Sequence, residues 1–170
     1  MTDRITLFLL ALASIFLTAC RSSAPALDYR ELAKASVVLG IDIGIDDNHA
    51  LYIESARWIG TPYRLGGEDL RGVDCSGLTS QLYRKVFRTS LKRNSEEQRR
   101  HNCRKIAKGS LREGDLIFFH NGKQRKKASH VGLYLKNGHF IHASSRGVVV
   151  NNINEAYYRR HWLSAGRVKR

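Results

Sequence analysis

Two hydrophobic periods divide this chain. From Asp47 to about Gln98, apolar residues recur at spacings of three and four: Ala50, Leu51, Ile53, Ala56, Trp58 and Ile59, then Leu78, Leu82 and Val86. That spacing predicts two amphipathic helices. The first is capped at Asp47-Asn48 and ended by Thr61-Pro62-Tyr63, and the second opens near Cys75. Ser95-Glu96-Glu97-Gln98 has the form of a capping box and announces a third. From Gly109 onward the pattern changes to short apolar runs at 115–119, 130–135, 139–143 and 147–150, parted by turn residues that include Asn137-Gly138. These predict antiparallel strands, and Gly166 to Lys169 a last one. Helices first and strands second imply an α+β domain, with N-terminal helices packed on a C-terminal antiparallel sheet of about five strands.

The first residues do not fit that domain. Ile5 to Leu17 is apolar behind Arg4, long enough for the core of an export signal and too short to span a bilayer as a mature helix. It runs into Leu17-Thr18-Ala19-Cys20, which resembles the lipobox of bacterial lipoproteins, where the cysteine is acylated and becomes the mature N-terminus. The competing reading is an ordinary cleaved signal with an incidental cysteine. With Arg21 rather than Asp after the cysteine, the lipobox resemblance implies the outer membrane's inner leaflet rather than the inner membrane. The expected organisation is therefore a signal peptide at 1–19, a lipidated N-terminus and tether at 20–46, and a catalytic domain at 47–170. Within the tether, Leu32 to Leu39 is expected to form a short helix packed on the domain.

Charge narrows the partners. The 170 residues carry 29 Lys and Arg against 15 Asp and Glu, a formal net charge of +14. Part of it sits in Lys123-Gln-Arg-Lys-Lys127, Arg99-Arg100 and Arg159-Arg160. Such a chain attracts anionic partners, whether nucleic acid, acidic lipid or wall polymer. The export signal argues against nucleic acid. Of three cysteines, Cys20 is the lipidation candidate, and Cys103 is expected to be a small, buried, unpaired residue.

Cys75 lies in Gly72-Val-Asp-Cys-Ser-Gly-Leu78, at the predicted start of a helix. Unpaired N–H groups and the positive end of the helix dipole there favour thiolate over thiol. On position alone one more buried cysteine is an equal reading, and a nucleophilic thiol also needs a base. His130 opens one predicted strand and His142 lies in the next. A two-residue Asn137-Gly138 loop places them on opposite faces. A three-residue loop from Lys136, with glycine in the left-handed region, sets His142 opposite Gly132 and diagonal to His130 on one face, with open space above the glycine. His49, His101, His120, His139 and His161 read as structural or exposed.

These residues fall into longer motifs: Trp58 to Gly67, Val73 to Leu78, Glu113 to Phe119, Ser129 to Leu135 and Asn137 to Ala143. In that order they resemble the NlpC-type cysteine peptidases, papain-like bacterial enzymes acting on peptidoglycan stem peptides, and the likeness covers 47–170. The lipobox and the ending Asn154 to Arg160 resemble the Spr/MepS-like murein endopeptidase lipoproteins of that family. The resemblance implies Cys75 as nucleophile, His130 as general base and acid, and His142 as the orienting third residue. It implies that Tyr63 binds the oxyanion or substrate backbone, and that Asp74, Ser76 and Arg93 line the substrate groove. Leu91-Lys92-Arg93-Asn94 lacks the proline of the family's Leu-Pro-Arg segment.

The expected activity is hydrolysis of amide bonds in stem peptides or their cross-links, the D,D cross-link foremost. The γ-D-glutamyl–diamino acid bond is the alternative. An acyltransferase and a non-catalytic wall-binding lipoprotein are lesser ones. Cys75, His130 and His142 are also chemically able to bind zinc, but no Cys-x-x-Cys or His-Glu-x-x-His spacing supports it, and no cofactor or metal is expected. The expected state is a monomer held to the membrane through Cys20.

Overall fold

The computed structural model describes residues 29–169, so the signal segment, the Cys20 lipobox and the first part of the tether lie outside the described residues. Helix α1, Tyr29–Leu39, ends in a Schellman motif: Ile41 N–H bonds to Ser36 O and Gly40 N–H to Val37 O, with Gly40 at φ 64°. Its Ala35 and Leu39, together with Ile41, are buried against the domain, and α1 packs on α2, His49–Trp58. Asn48 caps α2 by accepting from Leu51 N–H, while Glu113 accepts from both Asn48 N–H and the Tyr52 hydroxyl. Two bonds from one carboxylate thus tie the helix start to the sheet side of the molecule.

A loop then carries the small hairpin of β1, Glu68–Asp69, and β2, Gly72–Val73, directly into α3, Cys75–Val86. Leu78 and Leu82 are fully buried on the apolar face of α3. The third expected helix is one turn, α4, Ser95–Glu97, which continues as a five-residue π-helix, Gln98–Asn102. Its cap is Asn94, whose side chain accepts from Glu96 and Glu97 N–H, rather than Ser95, whose hydroxyl reaches Ala128 O. Gln98 is fully buried and satisfied, donating to Ser76 O, Lys92 O and the Ser80 hydroxyl and accepting from Thr79.

The main sheet has six strands rather than about five: β3 Cys103–Ile106, β4 Leu116–Phe119, β5 His130–Tyr134, β6 His139–Ser144, β7 Gly147–Asn152 and β8 Trp162–Val168. They are antiparallel in the order β3-β8-β4-β5-β6-β7. The sequence reading lacked β3, an edge strand whose Arg104 and Lys105 face solvent, and it began β8 four residues late. Both faces of the sheet are covered, which is why four consecutive residues of β4 are buried. One face packs Val131, Leu133, Ile141 and Ala143 on α2 and α3. On the other, Ile117, Phe119 and Phe140 meet Tyr158 of α5, Ala156–His161. Mixed helices and a covered antiparallel sheet make the fold α+β.

Candidate active site

The start of α3 is built before the thiol is placed. Asp74 is extended and caps the helix, its Oδ1 accepting from Gly77 N–H at 2.8 Å while Oδ2 accepts from Gly66 N–H at 2.8 Å. Arg93 reaches both carboxylate oxygens, at 2.7 and 2.8 Å, and also donates to Gly67 O and pairs with Glu68. The Ser76 hydroxyl bonds to Asp74 and to Arg93 O. Burial pushes the Asp74 carboxyl upward, but Arg93 and the two backbone donors outweigh it and hold the group below its usual range. The three residues expected in a groove therefore form one cluster that pins the hairpin loop to the start of α3. The Leu-Lys-Arg-Asn segment, though it lacks a proline, delivers Arg93 to this cluster.

Cys75 is buried, 8% exposed, and is free, as is Cys103. Burial raises its pKa; the N–H groups of Val131, Ser76 and Cys75 itself work in the opposite direction without cancelling it. The helix start does supply the donors expected from the sequence, yet desolvation wins and the resting group is a thiol. The Val131 donor comes from a break in the sheet. The paired register of β5 and β6 stops at Leu133–Ile141, and the next outward-directed N–H of β5 turns to the sulfur. Burial, above all, and then the nearby Cys75 and Asp74 raise the pKa of Tyr63, which is bridged to Val73, and keep its phenol protonated.

The parity question has a definite answer. Asn137 and Gly138 both have positive φ, 53° and 83°, in a turn closed by His139 N–H to Lys136 O. The Leu135 N–H then bonds to His139 O, so Lys136 is the extra residue. Continued by one residue, the register sets His142 across from Gly132 and diagonal to His130. Their rings meet edge-on, with His130 Nε2 2.9 Å from His142 Nδ1. The space above Gly132 is not open: the Phe140 ring fills it and stacks on His142.

Three residues missed in the sequence complete the chain of contacts. His142 Nε2 lies 2.9 Å from Asn151 Oδ1, and the Tyr158 hydroxyl donates to the same oxygen. Asn151 Nδ2 donates to both oxygens of Glu155. A carboxylate only accepts, so the amide nitrogen must face Glu155 and the amide oxygen must face His142. His142 therefore carries its proton on Nε2 and accepts at Nδ1 from His130 Nε2–H. His130 Nδ1 is left as a bare lone pair. Desolvation, then the neighbouring His142, holds the His130 pKa at about 3, and burial likewise lowers that of His142, so both rings are neutral. Glu155 and Tyr158 lie in the Asn154 to Arg160 segment that carried the Spr/MepS resemblance, but nothing in its spacing gave them a role, and Asn151 had no forward signal beyond its place after β6.

Cys103 is buried among apolar atoms, and burial, then Asp115, pushes its thiol up to about 12. His49, His101, His139 and His161 make contacts of their own or lie on the surface, and His120 shares one cleft wall with His130 and His142. The 123–127 loop is exposed, as are all its cations.

A model of the NlpC/P60 family matches residues 60–167. The chain is 41% identical over 113 residues to a protein of Haemophilus influenzae named probable endopeptidase NlpC homolog, covering 66% of this chain and 58% of that one. It is 36% identical over 125 residues to the Escherichia coli murein DD-endopeptidase MepS/murein LD-carboxypeptidase, covering 73% and 64%. It thus spans about three fifths of the length of these relatives. Among solved structures, an NlpC/P60 family protein from Bacillus cereus superposes with a TM-score of 0.65 at 29% identity, over 75% of this chain and 42% of the other. The chain belongs to the NlpC/P60 family.

Proposed function

We propose that the protein is a cysteine peptidase hydrolysing amide bonds of peptidoglycan, with Cys75 as nucleophile, His130 as base and acid, and His142 as its orienter. The observation that carries this is the polarity of the chain from Glu155 through Asn151 and His142, which leaves Nδ1 unprotonated on His130, the residue next to Val131, whose N–H touches the thiol. Names borne by the relatives, endopeptidase and murein DD-endopeptidase among them, agree with that chemistry.

In the reaction, His130 Nδ1 takes the thiol proton as sulfur bonds to the scissile carbonyl carbon. The Cys75 N–H and the Tyr63 hydroxyl hold the developing oxyanion. His130 then delivers its proton to the leaving nitrogen as the C–N bond breaks. Water, deprotonated by the same ring, attacks the thioester carbon, and the thiol regains its proton. Because both groups start neutral, the thiolate forms only as substrate arrives. Asp74, Ser76 and Arg93 act by holding the groove wall and the helix start, and they border the substrate through Tyr63.

The bond cut is the D,D cross-link between stems, with the bond between D-glutamate and the diamino acid as the alternative. Residues 1–19 direct export, Cys20 carries the lipid, and the catalytic domain works as a monomer from the periplasmic face of the outer membrane. Digestion of purified cross-linked peptidoglycan by residues 21–170, beside a Cys75→Ala control and read by mass spectrometry, tests the reading. Loss of cross-linked dimers with intact stems supports it; stems shortened after D-glutamate support the alternative. Unchanged peptidoglycan overturns it in favour of wall binding. Metabolic labelling with a fatty acid, lost in Cys20→Ala, tests the anchor.

A further inference from the structure

One cleft is lined by both imidazoles and not by the thiol. It has a volume of about 560 Å³, and its walls include His120, His130, His142, Arg146 and Tyr157. His130, the proposed general acid, is part of its wall. The acyl part of a substrate stays on sulfur, while the nitrogen that leaves takes its proton from His130. Whatever is attached to that nitrogen leaves beside His130, at the cleft that this ring borders.

The charges there are unevenly committed. Glu155 lies in the cleft, but its carboxylate accepts from Asn151 Nδ2 and from Asn152 N–H at 2.6 Å. Arg146 is held only by its backbone: its N–H bonds to the Ser144 hydroxyl, which itself bonds to Gly147 O and fixes the two-residue turn between β6 and β7. Among the described residues its guanidinium is in no ion pair and no side-chain hydrogen bond. An exposed, uncommitted guanidinium with five free donors is suited to a carboxylate, which it grips in a planar fork.

We infer that this cleft is the leaving-group subsite and that Arg146 selects substrates whose leaving amine stands beside a free carboxylate. The inference rests on the hydrolytic reading above and names the substrate class for it. In the D,D cross-link, the linked amine belongs to the diamino-acid centre that retains its own carboxylate. In the bond after D-glutamate within a longer stem, the carboxyl beside the amine is already an amide. Arg146 therefore favours the cross-link, and likewise a terminal amino acid removed with its carboxylate free. The exposed cations of 123–127, on the loop that follows Asn121 of the cleft wall, add general attraction for anionic stems without choosing a bond.

The test uses two cross-linked stem dimers, one with the free carboxylate beside the linked amine and one with that group as a carboxamide. The wild-type protein is expected to cut the first with kcat/KM about tenfold higher, mostly through KM, as befits one charged hydrogen-bonded pair. In Arg146→Gln the ratio between the two dimers falls to near one. Equilibrium binding of both dimers to Cys75→Ala, with and without Arg146→Gln, gives a readout independent of turnover. There the carboxylate is expected to bind more tightly only while Arg146 is present. A preference that persists in Arg146→Gln, or no preference in either measurement, overturns the subsite. Carboxylate-dependent binding without any hydrolysis by the wild type supports the subsite and refutes the hydrolytic reading instead.

Discussion

Replacing Gly132 by alanine should damage catalysis from within the sheet. A Cβ at that position falls 2.5 Å from Cδ2 of Phe140, 3.1 Å from its Cε2 and 3.2 Å from Ile141 O. Carbon atoms need about 3.5–4.0 Å, so the ring must move by roughly 1 Å. It has nowhere to go freely. Phe140 is fully buried, packed against Phe119 at 5.5 Å and Tyr158 at 4.8 Å between centroids, and stacked on His142 at 4.9 Å. Overpacking of this kind costs about 1–3 kcal/mol, a fall in Tm of roughly 3–10 °C for a domain of this size. The displaced ring also pushes His142, and a 1 Å error in a catalytic array costs up to about 100-fold in rate. We expect Gly132→Ala to stay folded, to lose stability in that range, and to lose kcat by about 10- to 100-fold with KM little changed. Chemical denaturation and steady-state kinetics read both. Adding Phe140→Leu should restore part of the stability, giving a non-additive cycle of about 1 kcal/mol or more. A Gly132→Ala protein within about 0.5 kcal/mol of wild type and with wild-type kcat, or a strictly additive cycle, would refute the packing account.

Asn151→Leu removes the acceptor that fixes the His142 tautomer, so kcat should fall by about 10-fold or more, and the imidazole nitrogen shifts in NMR should report mixed tautomers; unchanged shifts would contradict the derived polarity. Asp74→Ala leaves Arg93 and two backbone donors without their acceptor, and should destabilise by about 2–4 kcal/mol in denaturant unfolding. Both histidines are depressed in the folded state, so stability is fully present above the unfolded value of about 6.5 and is lost as pH falls below it towards about 3, where His130 itself protonates. The acid limb of kcat/KM should accordingly lie below about 6.5 while circular dichroism still reports a folded chain, and a limb at or above that value would argue against a neutral resting pair. Cys103, with its thiol near 12, should resist iodoacetamide at neutral pH until the protein is unfolded, as peptide mapping can check.

The sequence alone was enough for the elements that rest on local periodicity. The three- and four-residue spacing of Leu78, Leu82 and Val86 specified α3, and the alternating and continuous runs after Gly109 specified the central strands. The place of Cys75 at a helix start was legible because it is a local feature, whereas its proposed role as nucleophile came from the motif resemblance. The histidine pair was legible only as a choice between two loop parities.

Tertiary structure decided the rest, wherever the deciding contact lay far along the chain. The extra residue at Lys136 put His130 and His142 on one face, and Phe140 rather than empty space filled the gap above Gly132. Desolvation, a property of surroundings and not of sequence neighbours, turned the expected thiolate into a thiol. The tautomers were set by Asn151 and Glu155, whose chemistry is common and whose role appears only once β7 and α5 fold back beside β6. Arg93 crossed 19 positions to hold Asp74, and that long-range ion pair fixes the entrance to α3. Periodicity encodes which face of an element is buried; which residues then meet across those faces is settled by packing in three dimensions.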